Sequence, residues 1–234
     1  MFIDSHCHLE SFKNLEDIIR ESKKSLDSII TCGHSIESSR QNVEIAKNYE
    51  GFVYPVVGIG PQSAMHMKGK NWEIEIPDSA VAIGEVGLDY HLGKSSEEKQ
   101  LQKECFEYFL DIAVQADLPV VIHSRESHAD IIQIIEEKNL KKVCWHCFSG
   151  SVQDAEYAIS KGHYVSFIPL QSRTRAEIAK LPGIKTLIET DAPYIGKFPW
   201  DVVKSAELIS SYRQVKLEEI EKETRENAKS FFKI

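Results

Sequence analysis

The sequence predicts one (β/α)8 TIM barrel in a single domain, and three observations predict it. Short β-branched segments alternate with polar, helix-periodic ones along nearly the whole chain. Metal-binding residue types stand at the C-terminal ends of five of those strands, and in a parallel barrel such ends share one face. No Gly-x-Gly-x-x-Gly follows the first strand, so an open dinucleotide-binding sheet loses its main support. With 234 residues, 42% of them hydrophobic, the chain can bury one large core.

The elements follow in order. Strands are expected near 2–6, 27–32, 52–58, 80–87, 119–123, 142–146, 163–168 and 185–190. Helix-periodic segments lie between them at Leu15 to Lys24, Ile36 to Tyr49, Glu97 to Ala116, Ala129 to Lys138, Ser151 to Lys161 and Arg175 to Leu181. Gly60 to Ser79 carries no good helix pattern, and its Gly, Pro and Met residues suggest an irregular loop over the barrel mouth. Leu217, Ile220, Thr224, Ala228 and Phe231 recur at helical spacing and mark an amphipathic closing helix.

Charge limits the function classes. A formal net charge of −8 excludes a whole-surface basic grip on nucleic acid, so a polyanionic substrate needs a local basic patch or bound cations. No apolar run of spanning length and no leader pattern is present, so neither membrane insertion nor secretion is expected. Five cysteines, an odd number, suit a reducing cytoplasm. Cys144-Trp145-His146-Cys147 has the CxxC spacing, but it is a lone pair, and a structural zinc site would need two more ligands.

The strand ends carry the chemistry. His6 and His8 are two apart, so on an extended segment both point to one side and can chelate one metal. Asp4 precedes them at the same spacing and can orient a ligand histidine. Glu85, between Gly84 and Val86-Gly87, would be a costly buried carboxylate unless it held cations, and it can bridge two. His123 and His146 each follow a short β-branched strand in equivalent places. Asp191 ends the eighth strand, where a carboxylate can hold metal and accept a proton. Arg125 is a candidate phosphate contact, with Arg173 and Arg175 as further candidates after the seventh strand. Tyr90 and Phe148 are candidates for stacking on an unpaired base. His34 could line the mouth, and His91 follows Asp89-Tyr90 on the same face.

In its blocks Asp4-Ser5-His6-Cys7-His8-Leu9, Ala82 to Tyr90, Leu118 to Glu126, His146-Cys147-Phe148-Ser149-Gly150 and Glu189 to Tyr194, the chain resembles the TatD-related metal-dependent deoxyribonucleases, a branch of the barrel metallohydrolases. The blocks run in order over essentially the full chain. The resemblance implies one divalent ion on His6, His8, Glu85 and Asp191 and a second on Glu85, His123 and His146. It further implies hydrolysis of DNA phosphodiesters by an exonuclease, with Glu85 and Asp191 in catalytic roles. Apart from the resemblance, the donor set suits magnesium, manganese or zinc, stacking on Tyr90 or Phe148 would favour single strands or frayed ends, and a monomer is the default expectation.

Two departures bear on the substrate. The family's Gly-x-His-Pro-His is replaced by Gly58-Ile59-Gly60-Pro61-Gln62, and its Asn-x-Pro by Ile195-Gly196-Lys197-Phe198-Pro199-Trp200. The same ligands could also serve hydrolysis of an amide or ester, including an aminoacyl ester on tRNA. A third alternative is an adaptor that keeps its metals without turnover.

Overall fold

Eight strands pair in chain order, each parallel to the next: β1 (Phe2–Cys7), β2 (Leu26–Cys32), β3 (Val53–Val57), β4 (Ala82–Asp89), β5 (Val120–Arg125), β6 (Val143–Trp145), β7 (Tyr164–Phe167) and β8 (Lys185–Ile188). The computed structural model describes every residue except Lys68 and Lys70. The helices are α1 (Leu15–Ser22), α2 (Ile36–Asn48), α3 (Pro61–His66), α4 (Ser96–Ala116), α5 (His128–Glu137), α6 (Val152–Lys161), α7 (Arg173–Ile178), α8 (Val202–Arg213) and α9 (Leu217–Phe232). Capping boxes start α2 at Ser35, α4 at Ser95 and α6 at Ser151, where side chains satisfy otherwise orphaned backbone donors. The (β/α)8 expectation is therefore met.

One expectation is corrected. The Gly60 to Ser79 stretch contains α3, whose six residues are too few to show a periodic pattern; Pro61 occupies its first turn. Beyond it Trp72 is buried, with its ring 5.9 Å from that of Tyr108.

The sheet closes between β1 and β8 through a few bonds rather than a long ladder. Asp191 N donates to His6 O at 2.9 Å and His8 N to Ala192 O at 2.8 Å. The buried Asp4 carboxylate reinforces the seam, accepting from Thr190 N at 2.9 Å and Thr190 Oγ1 at 2.6 Å.

The barrel interior and the helix-facing shell divide by strand alternation. Ile3, Ile30, Cys32, Val56, Ala82, Val121, Cys144 and Leu187 form an inner cluster with Ala228, Phe231 and Phe232 of α9, which stops one end of the barrel. Ile29, Ile83, Val120, Ile122, Val143, Trp145 and Ile188 belong to the cluster beneath the helices. Alternation from Val121 and Cys144 turns His123 and His146 inward. Strict alternation from Ile3 and Ala82 would turn His6, His8 and Glu85 outward. The β1 ladder shifts register between Asp4 and Cys7, and the β4 ladder between Ile83 and Val86, and such irregularities re-aim side chains. Gly87 is required beside this second shift: its φ is +146°, and a Cβ there would lie 2.0 Å from His123 O.

Candidate metal centre

The six candidate ligands from five strand ends meet at one mouth. His6 Nε2 and His8 Nε2 are 3.3 Å apart. Asp191 Oδ1 lies 3.2 Å from His8 Nε2 and 3.9 Å from His6 Nε2, and Glu85 Oε2 lies 3.5 Å from His6 Nε2 and 3.9 Å from His8 Nε2. Ligands about 2.0–2.1 Å from a tetrahedral ion stand about 3.3–3.4 Å apart, so His6, His8 and Asp191 fit one divalent cation with small adjustments, and Glu85 stands beside both imidazoles. The other Glu85 oxygen faces a second group: Oε1 is 2.6 Å from His123 Nδ1 and 3.7 Å from His146 Nε2. Three protein donors here would leave positions for water or substrate. Each oxygen of one carboxylate thus serves a separate set of imidazoles.

Buried carboxylates and imidazoles set one another's protonation. Burial alone would raise the Glu85 carboxyl, but His146, His123 and His6 outweigh it and hold it well below the usual range. Burial would likewise raise Asp191, and the hydrogen bond from His8 with the nearby imidazoles brings it below normal. Desolvation acts to lower His123, yet Asp89 and Glu85 push it up to about 9. His146 is pushed up to about 10 because Glu189 and Glu85 overcome the same desolvation. His6 is lowered, by burial first and by the charge of His146 second. Four imidazoles and two carboxylates in mutual reach form a site prepared for cations.

Three supporting carboxylates did not emerge from the sequence reading. Asp89 Oδ2 is 3.1 Å from His123 Nε2. Glu189 Oε1 is 2.8 Å from His146 Nδ1, off the line of a directed hydrogen bond, and accepts from Cys147 N at 2.8 Å. Glu10 approaches His8 and His34. Spacing could have flagged Glu189, which is two residues before Asp191 just past the end of β8. Asp4, expected to orient a ligand histidine, is bonded mainly to Thr190, with His6 N donating to it at 3.3 Å.

The cavity at the mouth measures about 590 Å³ and exposes His8, Glu85, His123, His146 and Asp191, with His34, Gln62, His66, Leu92 and Tyr194 around them. That volume is within the range of small-ligand clefts. Arg125, Tyr90 and Phe148 are not on its wall. Arg125 ends β5 with an exposed side chain. Tyr90 donates to Asp130 at 2.5 Å beneath the Lys99 ammonium. Phe148 is buried edge-on against Trp145 and His128 and cannot stack on a base without leaving that packing. The exposed ring at the rim is Tyr194, 5.0 Å from the His8 ring. Arg173 pairs with Glu177 at the surface. Arg175 lines a separate cleft. His91 pairs with Glu126. All five cysteines are free, with Cys144 buried in β6. Among the described residues no helix is long and apolar enough to cross a membrane.

Comparison with known proteins gives the family and the fold. The TatD related DNase family model matches residues 3–233. An uncharacterized metal-dependent hydrolase, YabD of Bacillus subtilis, is 30% identical over the full length of both chains. The human protein named deoxyribonuclease TATDN3 is 28% identical over 98% of this chain and 94% of its own. The crystal structure of YjjV, a TatD homolog from Escherichia coli, superposes with a TM-score of 0.84 at 24% identity, covering 100% of this chain and 98% of that one. A TatD family hydrolase from Entamoeba histolytica gives a TM-score of 0.87 at 20% identity, over 98% and 97% of the two chains. The chain is a metal-dependent hydrolase barrel and belongs to the TatD related DNase family.

Proposed function

We propose that this protein hydrolyses phosphodiester bonds of DNA, as an exonuclease on single strands or frayed ends, with two divalent ions. The observation that carries this reading is the division of Glu85, whose two oxygens face two separate sets of histidines. The substrate class rests on the family and on the name of the human relative.

His6, His8, Glu85 and Asp191 would hold one ion, and Glu85, His123 and His146 the other. When bound, zinc, manganese or magnesium supplies Lewis-acid polarisation of a phosphoryl oxygen and brings the pKa of water towards about 7. Asp191, at the cavity wall with its carboxyl kept ionised, orients the attacking water and accepts its proton. The water oxygen bonds to phosphorus as the ester P–O bond breaks, and the departing sugar oxygen takes up the proton that Asp191 received from the water, directly or through solvent. Glu85 keeps the two groups of imidazoles in register throughout.

The test is turnover of end-labelled single-stranded and duplex DNA by chelator-stripped protein, with magnesium, manganese or zinc restored separately and Asp191→Asn alongside. Metal-restored cleavage lost in a folded variant is the expected result, and the product ladder gives the direction. Near-normal turnover by Asp191→Asn would remove its assigned role. Metal binding without cleavage under any ion would move the substrate to an ester or amide.

A further inference from the structure

Beside the six candidate ligands, Glu10 and His34 face each other at the rim. Glu10 lies in the short 3-10 turn after β1; its side chain is 5% exposed, with Oε1 3.7 Å from His8 Nδ1 and 3.8 Å from His34 Nδ1. Its other oxygen, Oε2, and His34 Nδ1 are both buried and have no hydrogen-bond partner among the described residues. Buried polar atoms are nearly always satisfied, so two orphans side by side, one on a carboxylate and one on an imidazole, call for an occupant that binds both.

His8 does not belong to that group. Its Nδ1 donates to Cys32 O at 2.9 Å, which directs Nε2 towards Asp191. The free donors are therefore the Glu10 oxygens and His34 Nδ1, a mixed set suited to manganese or zinc. His34 is held in place by its backbone: its N–H donates to Ser38 Oγ at 2.9 Å and its carbonyl accepts from Gly60 N at 2.9 Å. Its ring lines the cavity, so an ion there would face the substrate.

We propose that Glu10 and His34 form a third divalent-cation site at the rim of the metal centre, completed by water and, with substrate bound, by a phosphate oxygen. The phosphate contact rests on the phosphodiesterase reading above; the cation site does not. It would place positive charge on a cavity wall with no arginine among its described residues, in a chain of net charge −8. Two protein residues bind less tightly than the three or four available to each of the other ions, so the third site fills last.

The test is a manganese titration of the chelator-stripped full chain, with free ion read by electron paramagnetic resonance and no DNA present. The parent should bind three equivalents, the third weakest. Glu10→Gln and His34→Gln should each weaken only the third, by tenfold or more, with unchanged circular dichroism. Saturation of the parent at two equivalents up to millimolar manganese would overturn the proposal. So would retention of the third by His34→Gln while Glu10→Gln weakens a tight one, because Glu10 would then serve His8 alone. Because no substrate is present, failure to cleave DNA leaves this result readable.

Discussion

Asp89 Oδ2 lies 3.1 Å from Nε2 of His123, whose other ring nitrogen faces Glu85. A carboxylate on one side of an imidazole fixes its tautomer and orientation and strengthens the other nitrogen as a ligand. Asp89 is itself fixed, accepting from Leu92 N at 2.9 Å. On the two-ion reading, Asp89→Asn should therefore weaken binding of a cation at Glu85, His123 and His146 by about 10–100-fold. Binding of a cation at His6, His8 and Asp191 should change little. Competition against a chelator of known affinity separates the two; equal weakening of both would argue against a role directed at His123.

Thr190 connects barrel closure to the site. Its N–H and hydroxyl both reach Asp4, and the next residue is Asp191. Thr190→Val keeps the shape but removes one donor from a fully buried carboxyl group, at a cost of about 1–3 kcal/mol. Thermal unfolding should show that loss, and Thr190→Ser should recover most of it. A valine variant as stable as the parent would mean that the seam does not depend on this hydroxyl.

The alternating strand pattern was legible because each strand has one face in the barrel and one under a helix, and the histidine and acidic residues at the strand ends stood out against apolar runs. The inward turn of His6, His8 and Glu85 was not, since it depends on register shifts in β1 and β4 that alternation cannot reveal. Substrate-side residues were least legible. Tyr90 and Phe148 are aromatic and near the right strand ends, but the loops carry one to Asp130 and the other against Trp145 and His128. Position within a loop decides such cases, and a linear sequence does not state it.

On the phosphodiesterase reading, Tyr194 is the ring that would meet a base. It is 61% exposed, sits on the cavity wall and donates to or accepts from Ser11 Oγ at 3.1 Å. Base stacking contributes about 1–3 kcal/mol per base, so Tyr194→Ala should lower kcat/KM on single-stranded DNA by about 5- to 150-fold, mainly through KM. Tyr194→Phe should retain most of the activity. Phe148→Ala should instead destabilise the fold by about 3–5 kcal/mol, as loss of a buried ring does. An unchanged KM in Tyr194→Ala would remove the ring from substrate binding.

His163 makes stability pH-dependent outside the set of candidate metal ligands. It is buried just before β7, with Trp145 Nε1 donating to its Nδ1 at 3.4 Å. Burial, reinforced by Lys161, Lys185 and Lys141, outweighs a backbone hydrogen bond to Leu140 and lowers its pKa from 6.5 to about 4. The unfolded chain therefore binds the proton more readily than the folded one between those values. Stability from this residue is complete above pH 6.5 and declines as pH falls towards 4. By pH 5 the loss should reach about 2 kcal/mol. Chemical denaturation of the parent and His163→Phe at pH 7.5 and pH 5, with equal metal content, isolates this effect because other titrating groups are common to both. The parent should lose more stability than the variant across that interval; equal losses would show that His163 is protonated in the fold without penalty.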